Sequence, residues 1–144
     1  MKRIYILIFF LLVSYLKIYP QYWEKVTNIP TPYNTGYYLD LWILPSDNNY
    51  MWACGFNGFV IRSTNGGNSW LGSQLPYPAD HIESIQFVNK YIGYASGVEG
   101  IFKSTDGGAS WFDITPSQLE DYWGCYFINE NIGVLLGGGC DGLQ

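Results

Sequence analysis

One octapeptide occurs twice in the chain, and this repeat constrains the fold more than any other feature of the sequence. Residues 63–70 read STNGGNSW and residues 104–111 read STDGGASW, so the two copies lie 41 residues apart (104 − 63). The similarity extends upstream, because the Gly-x-x-Gly of residues 55–58 returns at residues 97–100. A period of about 40 residues is the length of one four-stranded β-propeller blade. The repeat therefore predicts a fold of stacked blades.

A third copy of the repeat begins near the end of the sequence. Residues 127–133 read FINENIG and match FVNKYIG at residues 87–93, a displacement of 40 (127 − 87), and Gly137 then falls where Gly97 did. No third octapeptide follows before Gln144, and a blade cut between its strands exposes an unpaired sheet edge. We therefore expect the chain to be the front part of a longer protein. The predicted blades span about residues 37–78, 79–118 and 119–144, the last one truncated.

The composition favours β-structure throughout residues 21–144. Aromatic residues make up 19% of the sequence and charged residues only 13%. Beyond residue 20, no stretch has the i, i+3, i+4, i+7 apolar spacing of a surface helix. We therefore predict an all-β fold: a partial β-propeller of four-stranded antiparallel blades, with about two complete blades and the start of a third. The predicted strands are 38–44, 51–54, 59–63 and 69–72, then 82–88, 92–96, 101–104 and 110–114, then 123–128 and 132–136.

The N-terminus has the pattern of a secretory signal peptide. Lys2 and Arg3 precede an apolar run over residues 4–13, and Lys17 and Pro20 end its extension. A spanning helix needs about 20 apolar residues, so this run is too short to cross a bilayer. We predict a signal peptide over residues 1–20, a linker over 21–36, and a secreted, periplasmic or cell-surface bacterial protein with no stable membrane span after cleavage. An uncleaved N-terminal anchor is the alternative.

The charge of the predicted mature chain argues against a nucleic-acid partner. Residues 21–144 contain four basic and twelve acidic residues, a formal net charge of −8 (4 − 12). A surface that reads phosphates needs clustered Lys and Arg. Here the basic residues are scattered, at Lys25, Arg62, Lys90 and Lys103. We therefore expect no nucleic-acid binding.

The three cysteines leave two interpretations open. Cys125 and Cys140 lie on or just after neighbouring predicted strands, so an oxidising compartment would allow a Cys125–Cys140 disulfide that leaves Cys54 free. The alternative is that all three are small buried apolar residues. The chain has no CxxC or CxxH spacing, and His81 is its only histidine. We therefore predict no metal site, and no motif indicates a cofactor.

The octapeptide resembles the Asp-box, or BNR repeat, whose pattern is Ser-x-Asp-x-Gly-x-Thr-Trp. Its chemistry is structural. Asp106 is placed to accept hydrogen bonds from the backbone of its own turn, and Asn65 keeps that geometry without the charge. The glycines supply the positive φ that the turn requires, and the tryptophan packs against the blade. The positions concerned are Ser63, Asn65, Gly67 and Trp70 in the first copy, and Ser104, Asp106, Gly108 and Trp111 in the second.

The wider phrase over residues 87–108 is similar to repeats of the Ycf48-like group of photosystem II assembly factors, and of secreted bacterial propellers labelled BNR or sialidase-like. For the assembly factors, the resemblance implies a pigment-protein partner bound through an arginine-rich surface. Arg62 is the only arginine of this chain beyond residue 20, so the chain departs from that pattern.

The loops that lead into the first strand of each blade are where propellers usually bind ligands. The candidate ligand-face residues there are Tyr38, Asp40, Asp80, His81, Glu83, Asp121 and Tyr122, with Tyr37, Glu120 and Trp123 beside them. Our first interpretation is a non-catalytic surface that binds or scaffolds a protein or carbohydrate. The alternative is the N-terminal part of a secreted Asp-box glycoside hydrolase, closer to xyloglucanases than to sialidases, which would use two of the carboxylates Asp40, Asp80 and Asp121.

Overall fold

The computed structural model describes residues 25–76, 80–98, 100–116 and 121–138. A short 3-10 helix, Tyr33–Thr35, precedes the strands. The first four strands are β1 (Tyr38–Ile43), β2 (Met51–Gly55), β3 (Phe59–Ser63) and β4 (Leu71–Gln74). The next are β5 (Ile82–Phe87), β6 (Gly93–Gly97), β7 (Gly100–Ser104) and β8 (Phe112–Asp113), followed by β9 (Tyr122–Asn129) and β10 (Ile132–Gly137). Within the described ranges, no helix has the length and apolar character needed to cross a membrane.

The strands form two four-stranded antiparallel sheets and one hairpin, each with neighbours in chain order. Blade 1 contains β1-β2-β3-β4, blade 2 contains β5-β6-β7-β8, and β9 pairs with β10 in what we call the third hairpin. This meander order confirms the predicted fold class, a partial β-propeller with two complete blades and the start of another. The predicted signal peptide, residues 1–20, lies outside the described residues.

The outer strands depart most from the predicted bounds. β4 begins at Leu71 and β8 covers only Phe112–Asp113, whereas strands were expected to open at Ser69 and Ser110. The backbone N–H groups of both serines are bound to the side chains of Asn65 and Asp106 within the preceding turns. A residue whose N–H is held by a turn cannot also donate to a sheet ladder, so the outer strands start later.

The inner strand of each blade begins with a shift in pairing register, and a glycine on the neighbouring strand makes this shift possible. The register shifts between Tyr38 and Asp40 in blade 1 and at the matching place in blade 2, and the first residue of each inner strand faces Gly55 or Gly97. A Cβ atom on Gly97 would lie 1.8 Å from the carbonyl oxygen of His81. The equivalent distances are 1.9 Å at Gly55 and 2.0 Å at Gly137. Only glycine fits at this point of the repeat.

The core lies between the blades, where two kinds of sheet face meet. We call face B the side of a blade that points toward the next blade, and face A the side that points toward the preceding one. Trp52 on face B of blade 1 stacks on Phe87 on face A of blade 2, with ring centroids 3.8 Å apart and planes 6° from parallel. The remaining buried residues of this interface are Leu44, Cys54, Val60, Leu75, Ile82, Ile85, Ala95, Phe102 and Trp111.

The same packing recurs between blade 2 and the third hairpin. Tyr94 holds the register position of Trp52, and Phe127 that of Phe87. The rings of Tyr94 and Phe127 stack 3.5 Å apart with planes 5° from parallel. The sequence repeat is therefore also a repeat of the contacts between units.

Candidate functional site

The two ends of the sheets carry different kinds of loop. At one end lie the segments that precede the inner strands β1, β5 and β9, together with the β2–β3 and β6–β7 turns; we call this end the mouth. Antiparallel pairing places the octapeptide turns, which join β3 to β4 and β7 to β8, at the opposite end. The octapeptides and the mouth are therefore separate features.

The second octapeptide is held together by its own side chains. The Asp106 carboxylate accepts hydrogen bonds from the backbone N–H groups of Ala109 and Ser110, both at 2.9 Å, and from the hydroxyls of Ser104 and Ser110 at 2.9 and 2.6 Å. Burial works to raise the pKa of this carboxyl, but the hydrogen bonds from Ser110, Ser104 and Ala109 lower it from 3.8 to about 2. Asp106 is thus kept ionised as a part of the turn.

The first octapeptide reaches the same geometry with an amide. Asn65 Oδ1 accepts from the Ser69 N–H at 2.9 Å and from the Ser63 hydroxyl at 3.0 Å, and Asn65 Nδ2 donates to Ser69 Oγ at 2.9 Å. Ser63 Oγ also accepts from the Gly67 N–H at 2.9 Å. The exchange of Asp for Asn reverses the bond with the second serine hydroxyl, and the Asn68 N–H bonds the Asn65 carbonyl where the Ala109 N–H bonds the Asp106 carboxylate.

The octapeptide of blade 2 is fastened to blade 1. Trp52 Nε1 donates to the Gly107 carbonyl at 2.8 Å, and Ser73 Oγ donates to the Gly108 carbonyl at 2.7 Å. Trp111 Nε1 in turn donates to Ser73 Oγ at 3.4 Å. Gly107 and Gly108 have φ of 76° and 85°, which glycine adopts without strain. These contacts give the octapeptide of blade 2 a structural role in joining the two blades.

The mouth presents a cluster of aromatic rings around Phe56. The Phe56 ring meets the Tyr37 ring edge to face at 6.0 Å and the His81 ring at 4.4 Å and 87°. Tyr37 is 77% exposed, and the other two rings are half-buried. His81 Nδ1 lies 3.9 Å from Asp80 Oδ2. The cluster is therefore open to solvent and has a carboxylate at its side.

Backbone contacts fix this cluster across the two blades. The Phe56 N–H donates to the Tyr37 carbonyl at 3.0 Å, and the Gly58 N–H donates to the Asp80 carbonyl at 3.1 Å. Phe56 and His81 also form an isolated antiparallel bridge. The β2–β3 turn is sharp because Asn57 and Gly58 adopt φ of 60° and 63°. The rings are consequently held by main-chain bonds on both sides of the blade boundary.

Two candidate ligand-face residues are engaged inside the fold. The Tyr38 hydroxyl donates to the Tyr33 carbonyl at 2.9 Å, and burial, followed by the neighbouring Tyr33, raises the pKa of Tyr38 to about 12. The Asp40 carboxylate accepts from the backbone N–H groups of Leu41 at 2.8 Å and Ile85 at 2.9 Å. Asp40 therefore links the inner strands of blades 1 and 2.

The other candidates lie along the mouth. Asp80 and His81 precede β5, and Glu83 lies half-buried at the bulge of that strand. Asp121 and Tyr122, also half-buried, lie at the start of the third hairpin. Sequence reasoning did not single out Phe56. The signal was available, since Phe56 stands where the other copies of the repeat have Val98 and Gly138, and a large aromatic at only one copy marks a local role.

Burial disfavours the thiolate forms of the two described cysteines, Cys54 and Cys125. Cys54 is buried, and its Sγ lies 3.5 Å from the Ile82 carbonyl oxygen. Burial, followed by the charges of Asp40 and Cys125, raises the pKa of Cys54 well above its usual value, and burial raises that of Cys125. Cys140 lies outside the described residues, so the Cys125–Cys140 disulfide stays a prediction. In the part of the chain that the structure describes, no three His, Cys, Asp or Glu side chains are grouped to hold a metal ion.

Comparison with known proteins yields structural neighbours only. No protein-family model matches the chain, and no curated protein is similar to it in sequence. One solved structure, YCF48 bound to a D1 peptide, is 21% identical with a TM-score of 0.62 over 76% of this chain and 36% of that one. YCF48 from Cyanidioschyzon merolae is 16% identical with a TM-score of 0.54, over 72% of this chain and 36% of its own. The chain spans 36% of the length of these structures, and at such identities the likeness shows the β-propeller fold.

Proposed function

We propose that this chain is part of a non-catalytic propeller that holds a segment of another protein at its mouth. The observation that carries the proposal is the aromatic cluster in which Tyr37 is exposed and Phe56 and His81 are half-buried, fixed by main-chain bonds across two blades. Exposed aromatic rings on a rigid scaffold are typical of binding surfaces. YCF48, which shares the fold, has been solved with a D1 peptide, and this supports a peptide as the kind of ligand.

The chemistry of the mouth favours a segment that carries both apolar and basic side chains. The faces of Tyr37 and Phe56 offer contact area to an apolar or cationic group. The carboxylates of Asp80 and Asp121 add negative charge at the same end. Residues 21–144 contain four basic and twelve acidic residues, and this negative charge accelerates encounter with a basic partner. A peptide with Lys or Arg beside an aromatic or aliphatic residue meets these requirements.

The arrangement of the carboxylates supports binding over glycoside hydrolysis. A glycosidase needs two carboxylates that face a scissile bond. Asp40, one of the three candidates, uses its two oxygens to accept the N–H groups of Leu41 and Ile85. Its engagement in the scaffold leaves Asp80 and Asp121 as the remaining pair, and this reduced set supports binding over hydrolysis.

The test is a screen of the full chain against a peptide array that varies Lys, Arg and aromatic content. We expect selected peptides to bind, and Tyr37→Ala to weaken their binding by about tenfold, the effect typical of an interface anchor. Tyr91→Ala is the matched control, because Tyr91 is also exposed (56%) but lies in the β5–β6 turn at the opposite end. Equal loss in both variants, or no binding to any peptide, would contradict the proposal.

We further propose that the chain is exported, on the strength of the basic residues and apolar run at its N-terminus. A fusion of residues 1–24 to alkaline phosphatase, which is active only after export, tests this. Activity is expected, and a variant with Lys2 and Arg3 replaced by Glu is the matched control. An inactive fusion that accumulates inside the cell would reject export.

A further inference from the structure

The sequence contains two Asn-Gly pairs, and the fold places them in different surroundings. Asn57 and Gly58 form the β2–β3 turn at the mouth, whereas Asn65 and Gly66 belong to the octapeptide of blade 1. Both asparagines are exposed to solvent. A glycine that follows asparagine has no Cβ to shield its backbone nitrogen, so this nitrogen can attack the carboxamide carbon of the asparagine. The two pairs share this chemistry, and a difference between them has to come from the structure.

The octapeptide immobilises both reacting groups of the second pair. The Asn65 carboxamide makes three hydrogen bonds: Oδ1 accepts from the Ser69 N–H and the Ser63 hydroxyl, and Nδ2 donates to Ser69 Oγ. The nitrogen that would attack is also engaged, because the Gly66 N–H donates to the Asn49 carbonyl at 3.0 Å. Asn65 can therefore react only after the turn opens.

The first pair is held far less. The backbone carbonyl of Asn57 accepts from Gln74 Nε2 at 2.9 Å, but among the described residues no group makes a hydrogen bond to the Asn57 carboxamide. At the nitrogen that would attack, the single hydrogen bond runs from the Gly58 N–H to the Asp80 carbonyl at 3.1 Å. Asn57 is the one described non-glycine residue with a positive φ, 60°, a conformation that asparagine tolerates better than most residues. Opening one hydrogen bond is thus enough to let the reacting atoms meet.

We propose that Asn57 is a site of spontaneous deamidation and that the octapeptide protects Asn65 from the same reaction. The Gly58 nitrogen, after losing its proton to a base in solution, bonds to Asn57 Cγ. The bond from Cγ to Nδ2 breaks, and Nδ2 takes up a proton and leaves as ammonia. Water then opens the resulting succinimide ring at either carbonyl, which gives aspartate or isoaspartate. The reaction consumes one water molecule, releases one ammonia and involves no oxidation or reduction.

Conversion of Asn57 would change the mouth in two ways. Both products place a new carboxylate in the turn whose backbone bonds to Asp80, so negative charge at the mouth rises. Isoaspartate also moves one methylene into the main chain, which lengthens the turn that holds Phe56 against His81. The conversion needs no ligand and is therefore independent of the proposed peptide binding.

The test follows the folded full chain at mildly alkaline pH in water enriched in heavy oxygen, with digestion and mass spectrometry at intervals. We expect the labelled acid at residue 57 to form about tenfold faster than at residue 65, or more, because additional hydrogen bonds must open at Asn65. The same chain in concentrated urea should react at similar rates at both positions, which gives the intrinsic reactivity of each pair.

Ser69→Ala tests the cause of the protection. It removes the hydroxyl that Asn65 Nδ2 bonds and leaves the surroundings of Asn57 intact, so it should accelerate conversion of Asn65 alone. Circular dichroism shows whether this variant keeps its fold. Equal rates at the two asparagines of the folded wild type, or an unreactive Asn57 in a chain whose unfolded form converts, would overturn the proposal. An unchanged rate at Asn65 in Ser69→Ala would overturn the protective role of the turn.

Discussion

A single glycine position shows how strictly the repeat is constrained at the level of one residue. Gly55, Gly97 and Gly137 each lie against the carbonyl of the residue that precedes an inner strand, with no space for a side chain. The close approach allows the N–H after the glycine to bond that carbonyl, as Val98 bonds His81 at 3.1 Å. The absence of a side chain at this glycine therefore allows the backbone hydrogen bond that shapes the mouth.

Gly97→Ala should destabilise the chain by about 3 kcal/mol, because the added Cβ would overlap a backbone oxygen that cannot move alone. Gly124→Ala is the control, since a Cβ there would meet only Leu136 at 3.7 Å, and its cost should stay within about 0.5 kcal/mol. Urea unfolding of the two variants gives the comparison. Equal stability of both would show that the strand shifts to accept the methyl group.

Asp106 gives a prediction for acid pH. Its pKa is about 2 in the folded chain and 3.8 when unperturbed, so the unfolded chain binds the proton more readily. Stability from this carboxylate is therefore complete above pH 3.8 and is lost as the pH falls toward 2. Asp106→Asn, which copies Asn65, should keep the turn and flatten stability across this range. Unfolding curves against pH measure it, and an unchanged slope would reject the role of Asp106.

At the level of elements, side chains link the inner strands of neighbouring blades. The donor side chain differs between the two blade boundaries, but the acceptor at each is the backbone carbonyl of the equivalent phenylalanine. Trp42 Nε1 donates to the Phe87 carbonyl at 3.0 Å, and at the next boundary Gln86 Nε2 donates to the Phe127 carbonyl at 3.0 Å. Gln86 also accepts the Phe127 N–H. These hydrogen bonds hold the inner strands of neighbouring blades together, in addition to the ladder bonds within each blade.

Gln86→Leu should loosen the third hairpin, because it removes both bonds to the Phe127 backbone from a side chain that is 5% exposed. Amide exchange at Phe127 is expected to accelerate about tenfold, equivalent to about 1.4 kcal/mol of local opening. Gln74→Leu is the control, since the exposed Gln74 side chain donates to the Asn57 carbonyl within blade 1. If exchange at Phe127 stays slow in Gln86→Leu, the ladder with β10 alone holds β9.

The elements that sequence reasoning predicted are those that the repeat copies. The inner strands and the octapeptide turns recur with the same residue types, so periodicity alone was enough to place them. The mouth was only partly predictable, because Phe56 occurs in one copy and its contact with His81 crosses a blade boundary. The hydrogen bond from the Ile85 N–H to the Asp40 carboxylate could not be predicted from the sequence either, since the two residues lie 45 positions apart and Ile85 takes part through its backbone.

At the scale of the whole molecule, burial is concentrated in the middle unit. Every residue of β6 is buried, whereas β10 is exposed at all positions but one. Among the described residues, blade 2 packs against a neighbouring unit on both faces, and blade 1 and the third hairpin each pack against one unit. The cooperativity of unfolding therefore depends on the two boundaries of blade 2.

Trp52→Ala tests the first of these boundaries. The indole is 1% exposed, stacks on Phe87 and donates to Gly107, so its loss should cost about 3–5 kcal/mol. Trp123→Ala is the matched control, because Trp123 is 51% exposed and its removal should cost less than about 1 kcal/mol. Chemical unfolding followed by circular dichroism measures both. A small effect of Trp52→Ala would mean that the blades are stable independently.

The octapeptide of blade 2 is completed by Trp52 and Ser73 of blade 1, and this has a consequence for how the protein is made. Blade 1 leaves the ribosome before the octapeptide turn of blade 2, so the residues that stabilise this turn are present when it emerges. The blade that is synthesised first thus supplies the hydrogen bonds that stabilise the turn of the blade that is synthesised second. A circularly permuted chain that began at blade 2 would have to form its first octapeptide turn without the two hydrogen bonds from Trp52 and Ser73.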